Sequence, residues 1–485
     1  MKLESSASSV RIANIPSRLN HVHLIGVAGS AMTALAGMLK SRGLRVTGSD
    51  NQIYEPAASL LKQLAVEVRG AFAPGNLNPP PDLVVVGNAI TRENPEARAL
   101  LASTIPYVSM PEALWHFFLD GRCVLMVAGT HGKTTSTAMM AQVLTAAGRD
   151  PSLMVGGLAR NFGANYRIGA GRDFVIEGDE YDTAFFDKGP KFLHYHPNGA
   201  IITAVEFDHA DIYRDLDHVK SSFRALTAGM KATDVLAVCA DFPHALEIAI
   251  AVKARCVTFG LKSGAIRASE IAIDRDGARF TIMHEGSVAA RQVFLPIGGR
   301  MNIANALGVF ALLSEFGTSG DDLVAGFATF SGVARRQEIV AEVAGVIVID
   351  DFAHHPTAIT ATLEAVAERF GGRILAAFEP RSNTARRGVF QSGFATAFDR
   401  ASEVYLAPVY FKENDPLPES ERLDTRRLAA AISQRGPRAA ACASSTDVLQ
   451  RMLEAVRPGD VALFMSNGPF DNLTRRMTEA LNARS

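Results

Sequence analysis

The chain has 485 residues, 48% hydrophobic and 20% charged, with 49 basic and 50 acidic side chains and a formal net charge of −1. At roughly 150 residues per domain this length predicts about three domains, each able to bury its own core. The balanced charge excludes long-range steering onto nucleic acid or an anionic membrane, no apolar run reaches the ~20 residues of a membrane span, and four scattered cysteines without a CxxC pair fit a reducing cytoplasm rather than a disulfide framework.

Residues 1–20 are Ser-rich, lack an apolar signal core and are expected to form a tail. A first α/β unit is predicted over 21–120. Residues 21–26 suggest a strand running into a turn, 31–39 a helix, 44–50 a second strand and 83–88 a buried parallel strand. The turn Gly26-Val27-Ala28-Gly29-Ser30-Ala31-Met32 has only loosely the spacing of a dinucleotide fingerprint. Asp50 lies 24 residues after Gly26, near where an acidic side chain would meet a ribose hydroxyl. A nucleotide-sugar site and a plain packing turn both fit.

The second unit, 121–332, opens with the apolar run Cys123-Val124-Leu125-Met126-Val127-Ala128, which leads into Gly129-Thr130-His131-Gly132-Lys133-Thr134-Thr135 and a helix ended by Gly148. Strand, glycines, lysine, hydroxyls and helix form the context of a phosphate cradle. Glycines let backbone N–H groups approach phosphate oxygens, Lys133 reaches the β/γ-phosphates and Thr134 suits Mg²⁺. The full Walker spacing would put glycine at 127, where this chain has Val127. Carboxylates follow two further strands, at Glu177-Gly178-Asp179-Glu180-Tyr181-Asp182 and at Glu206-Phe207-Asp208-His209 with Asp211. They form either hard-oxygen Mg²⁺ ligands at strand ends or solvated acidic loops. Residues 255–297 are expected to form a β-rich edge.

The third unit, 333–485, is expected to place strands at 346–350, 373–378 and 461–465, and a surface loop at 413–421. Asp350-Asp351-Phe352-Ala353-His354-His355-Pro356 follows the first of these; its histidines fit a metal or hydrogen-bonding role, or a helix cap with a surface neighbour. Arg335-Arg336 either neutralises phosphate charge or forms a solvated basic patch. Arg381 in Glu379-Pro380-Arg381-Ser382-Asn383-Thr384 is placed to clamp a carboxylate.

These motifs, in this order, resemble the Mur ligase family from about residue 21 to residue 472. The resemblance implies an α/β fold of three domains: a Rossmann-like first, a phosphate-loop ATPase-like second with a mostly parallel sheet, and a Rossmann-like third. It implies an ATP-dependent ligase that joins a carboxylate to an amine through an acyl phosphate, with ATP and Mg²⁺. Lys133, Glu177, His209 and Arg336 take the catalytic positions. Gly129, Thr130, His131, Gly132, Lys133, Thr134, Thr135, Asn302, Asn305, Arg336 and Asp351 fall at ATP positions, and Thr134, Glu177 and His209 at metal positions. Gly26, Gly29, Ser30, Met32, Asp50 and Asn88 correspond to the UDP-sugar site, and His354, Arg381, Ser382 and Asn383 to the peptide site. The stretches 178–188, 206–212, 379–384 and 465–468 resemble the branch that joins a murein tripeptide, L-alanyl-γ-D-glutamyl-meso-diaminopimelate, to UDP-N-acetylmuramate; the branch that adds L-alanine has Pro-His-Arg at the third of them. Met301, Thr203, Ala204 and residues 469–472 depart from the family pattern. A monomer or weak homodimer is expected.

Overall fold

Runs of β-branched and apolar residues bounded by glycine turns build three sheets in chain order in the computed structural model, which describes residues 15–55, 57–412 and 417–484. Most of the expected tail, residues 1–14, and residues 413–416 of the expected surface loop lie outside the described residues. Among the described residues no helix is long and apolar enough to cross a membrane.

The first sheet has five parallel strands in the spatial order Glu67–Val68, Arg45–Ser49, His21–Ile25, Leu83–Val86 and Tyr107–Ser109. The winding reverses between His21–Ile25 and Leu83–Val86. Gly26 and Gly87, at the carboxyl ends of those strands, therefore flank the crevice where such sheets bind ligands. Beneath the crevice lies a buried polar network. Glu96 is fully buried and accepts from His23 Nε2 (2.6 Å), Ser49 Oγ (2.9 Å) and Asn76 Nδ2 (2.8 Å). It ties two strands to the helix Pro95–Leu101, whose cap Asn94 accepts from the Glu96 and Ala97 amides.

Ten strands form the central sheet. Cys123–Ala128 runs in its interior, parallel to Gly199–Ile202 on one side and Asp173–Gly178 on the other. Three buried apolar strands thus end side by side, and the loops beyond them converge. The expected β-rich edge is an antiparallel meander of Ile266–Asp274, Gly277–His284 and Ser287–Leu295. A hairpin of Asp182–Ala184 and Asp187–Pro190 reaches the first sheet, where Phe186 meets Tyr107 edge-on at 5.3 Å. Nothing in the local sequence pattern distinguishes this hairpin from an ordinary surface turn.

The third sheet has six strands in the order Glu338–Val343, Val346–Asp351, Val461–Met465, Ile374–Phe378, Glu403–Leu406 and Arg438–Ala441. All pairs but the first are parallel. The buried side chains of its two apolar clusters all come from residues 346–481. This is the expected three-part α/β architecture.

Removing one partner of a buried ion pair strands the other charge, at a cost of about 3–5 kcal/mol. Glu96→Ala is therefore expected to lower the denaturation midpoint of the first sheet unit, followed through Trp115, the only tryptophan. A midpoint indistinguishable from that of the parent protein would show that the His23–Glu96 network is not structural.

Candidate functional site

The buried strand Cys123–Ala128 delivers the loop 129–132 to the edge of the central sheet, and the helix Lys133–Ala146 carries it away. Gly129 and Gly132 have φ of +130° and +80°, and a Cβ would lie 2.2 Å from Thr203 Oγ1 at the first and 2.4 Å from Asn305 Oδ1 at the second. Both the turn and the neighbouring chains therefore require glycine. Val127, where the longer motif would have glycine, pairs with Ile201 and Glu177 inside the sheet.

Lys133 Nζ donates to Gly129 O (2.7 Å) and to Glu180 Oε1 (2.8 Å). The same carboxylate oxygen accepts from His209 Nε2 (2.9 Å), and Glu180 is only 3% exposed. Burial disfavours the Lys133 ammonium, but Glu180 and Glu177 outweigh it and hold its pKa above the ordinary value. For His209, burial is likewise outweighed, by Asp208 and Glu180, and its pKa rises to about 9. Sequence reasoning took the acidic run 177–182 as a group without singling out Glu180, because only the folded chain brings it between Lys133 and His209.

Thr134 Oγ1 donates to Glu177 Oε1 (3.1 Å), while the Gly156 amide donates to Glu177 Oε2 (2.8 Å). Burial pushes the Glu177 carboxyl up despite Lys133. Arg336 crosses from the start of the third unit to donate to Thr134 Oγ1 (3.3 Å), and its guanidinium lies 4.4 Å from the centre of the Phe352 ring. Arg335 and Gln337 on either side of it have φ of +59° and +50°, a left-handed geometry that costs non-glycine residues roughly 1–3 kcal/mol each. Arg335 is held by Asp350 (3.2 Å) and the Ser466 carbonyl (2.7 Å). The adjacent arginines thus divide: Arg335 secures the backbone and Arg336 faces the site. Asp351 accepts from the Gln337 and Ala353 amides (both 2.7 Å), and burial raises its pKa.

One cavity of about 270 Å³ joins these groups. Its lining includes Thr130, His131, Gly132, Lys133, Thr134, Thr135, Glu177, His209, Asn302, Asn305, Arg336, Asp351 and His354. Gly129 lies beneath it against Thr203 and Ala204. Asn302 Nδ2 donates to Gly298 O (2.7 Å), and Asn305 donates to Asn302 Oδ1 (3.3 Å). Phe352, Asp179 and Tyr181 also line the cavity; they stand in the motifs at 177–182 and 350–356, which were read for their neighbours. Lys191 is buried and bonds Asp179 at 2.6 Å; burial opposes the Asp179 charge, but Lys191 prevails and lowers its pKa to about 2. Two cations and a helix N-terminus facing one cavity can bind a polyphosphate.

Apart from His354, the other two groups of predicted residues lie elsewhere. Gly26 and Val27 donate their amides to Ser49 O (2.9 and 3.1 Å), and Asp50 accepts from the Ala28 amide (3.0 Å), so Asp50 shapes the first-sheet turn. Gly29 caps the following helix, Ser30 accepts from Asn165 (3.1 Å), Met32 is buried, and Asn88 is exposed at the opposite strand end. In the third unit the Arg381 guanidinium stacks 3.7 Å from the Tyr410 ring centre. Asn383 donates to Asp211 (2.6 Å), whereas the buried Ser382 hydroxyl accepts from the Ala385 amide (3.0 Å) and holds the turn.

Three family models match the chain: "Mur ligase family, catalytic domain" over residues 21–121, "Mur ligase middle domain" over 127–313, and "Mur ligase, glutamate ligase domain" over 335–468. The Haemophilus influenzae UDP-N-acetylmuramate–L-alanyl-γ-D-glutamyl-meso-2,6-diaminoheptandioate ligase is 36% identical over 96% of this chain and all of its own length. A murein peptide ligase from Psychrobacter arcticus superimposes with a TM-score of 0.71 at 32% identity, over 96% of this chain and 99% of that one. The UDP-N-acetylmuramate–alanine ligase of Thermotoga maritima superimposes with a TM-score of 0.77 at 25% identity, over 96% of this chain and 100% of that one.

His209 is raised from 6.5 to about 9 by its pairing. The stability this contributes is complete below about pH 6.5 and lost as pH rises through about 9. Melting temperatures of the parent protein and His209→Ala should therefore converge between pH 7 and 10, and a gap independent of pH would contradict the pairing.

Proposed function

The chain belongs to the Mur ligase family, and from that premise we propose that it is an ATP-dependent ligase joining the carboxylate of UDP-N-acetylmuramate to the amino group of L-alanyl-γ-D-glutamyl-meso-diaminopimelate, in the cytoplasm. The observation that carries this reading is the single cavity in which the phosphate loop meets Arg336 and Asp351 of the third unit. It sits in a chain that matches a tripeptide ligase from end to end.

A carboxylate is a poor electrophile at neutral pH, and phosphorylation gives it a leaving group. In this reading the loop amides and Lys133 hold the nucleotide phosphates, and Lys133 and Arg336 face the charge that spreads over the transferring phosphoryl group. Asn302, Asn305 and Asp351 orient the nucleoside. The first-sheet turn at Gly26, Gly29, Ser30, Met32, Asp50 and Asn88 holds the UDP-sugar. His354, Arg381 and Asn383 guide the incoming amine, with Ser382 shaping the turn that carries them. The amine displaces phosphate from the acyl group.

The residues present fit a magnesium ion. The Thr134 hydroxyl and a Glu177 oxygen lie 3.1 Å apart on the cavity wall, and Glu177 is a half-buried carboxyl short of compensating charge. Hard oxygens of this kind suit Mg²⁺. His209 faces the same cavity, but its Nε2 is engaged with Glu180 and the pairing raises its pKa to about 9, so it would have to lose a proton before it could meet a cation. When bound, the ion would neutralise phosphate charge.

The alternative amine is L-alanine, favoured by the higher TM-score of the Thermotoga enzyme. That score reports how the chains superimpose, whereas the amine is chosen by side chains around residues 379–384. Incubation with UDP-N-acetylmuramate, ATP and Mg²⁺ plus either amine is expected to give the tripeptide adduct by mass, with kcat/KM for the tripeptide well above that for L-alanine. The reverse order would assign the alanine-adding activity. Lys133→Ala should reduce amine-dependent phosphate release by about 10²-fold or more, and near-normal turnover would remove Lys133 from the mechanism.

A further inference from the structure

Residues 206–211 leave the central sheet beside the phosphate loop and run under the third unit. Glu206 touches both. Its backbone amide donates to Thr130 Oγ1 (2.9 Å), and its Oε2 lies 2.8 Å from His131 Nε2. Its Oε1 accepts from the hydroxyl of Thr357 (3.1 Å), in the first turn of the third-unit helix Pro356–Phe370. His355, the cap of that helix, sets its ring 4.6 Å from the ring of His131. One carboxylate thus bonds a side chain of the phosphate loop with one oxygen and a side chain of the third unit with the other. Burial works against its charge, but His131 outweighs this and keeps Glu206 ionised.

Ligand atoms of His131, Glu206 and His355 lie within 4.8 Å of one another, a spacing that a small metal site would also show. Both ring nitrogens of His355 are engaged, however. The Thr357 amide donates to Nδ1 (3.3 Å), so Nε2 carries the proton and donates to Phe207 O (3.2 Å). The cluster is a hydrogen-bonded junction between two units.

We infer that Glu206 is a positioning residue that couples the phosphate loop to the seating of the third unit. Through it, a loop ordered around nucleotide presents His131 and Glu206 in the geometry that Thr357 and His355 dock onto. That docking in turn holds Arg336 against Thr134. The inference rests on the proposed function only in taking nucleotide as the ligand of the loop. An exposed hydrogen bond would couple weakly, but one to a half-buried carboxylate is among the stronger kinds.

The test is a double-mutant cycle on the full chain, with Glu206→Ala, Thr357→Val and both together. Dyes on the outer surfaces of the central and third units report the ratio of closed to open molecules by single-molecule energy transfer, with Mg²⁺ and a non-hydrolysable ATP analogue. Each single variant is expected to lower the closed-to-open ratio about tenfold, and the double variant no further than the larger single. Thr357→Ser, which keeps the hydroxyl, is expected to restore the ratio. An unchanged ratio in Thr357→Val, or losses that multiply in the double variant, would overturn the coupling. An analogue that fails to bind the parent chain overturns the proposed function instead, and the cycle read without nucleotide still decides whether Glu206 and Thr357 act as a pair.

Discussion

An ammonium group taken out of water needs an anion beside it, and Lys133 finds that anion in Glu180. Much of the site follows from this pairing. Glu180 lies just beyond the strand Asp173–Gly178, so the strand must run beside Cys123–Ala128 for the contact to form. The same oxygen receives His209, which fixes the exit of the next strand on the other side. Three strand ends are thereby fastened around one carboxylate. A second carboxylate, Glu177, is left bonded to Thr134 and the Gly156 amide with its charge poorly compensated. The central sheet by itself therefore presents a lysine that is neutralised and a glutamate that is not. That is an arrangement suited to receiving a cation together with an anion.

The third unit completes the site by reaching over it. Arg336 arrives between two residues in left-handed backbone geometry, and Arg335 on one side is anchored by Asp350 and backbone carbonyls. The cost of that backbone is met by packing and hydrogen bonds within the third unit, and these set the direction in which the guanidinium leaves it. Phe352 supplies a flat surface for it. Asp351 accepts from the amides of both Gln337 and Ala353 and so ties the segment that carries Arg336 to the turn after Val346–Asp351.

Much of this was legible in the sequence, and the remainder has a physical reason for being hidden. The phosphate loop could be read because buried strand, glycines, lysine and helix are contiguous. Val127, which looked like a missing glycine, is a strand residue whose side chain the sheet buries completely. The meander over 266–295 was visible through its period of two. The contacts of Glu180, Phe352 and the hairpin over 182–190 could not be read, because they are made with partners far away in the chain: Lys133, Arg336 and Tyr107. Ser382 was expected to meet substrate, yet its hydroxyl closes a turn. Residue type suggests that a hydroxyl will bond something, and only geometry says what.

The apolar clusters of the third unit draw their buried side chains from residues 346–481 alone. Its foldedness therefore owes little to the sheet that activates the carboxylate. Arg381 and Asn383 stand on this separately supported piece, whereas Lys133, Thr134 and Glu177 stand on the other. Amine preference could thus drift during evolution without disturbing the phosphate chemistry, since the two sets of side chains are constrained by different interiors. Engineering could follow the same line: a third unit grafted from a relative would bring its own interior and a new taste in amines, and would have to match the host only along the seam where the two meet.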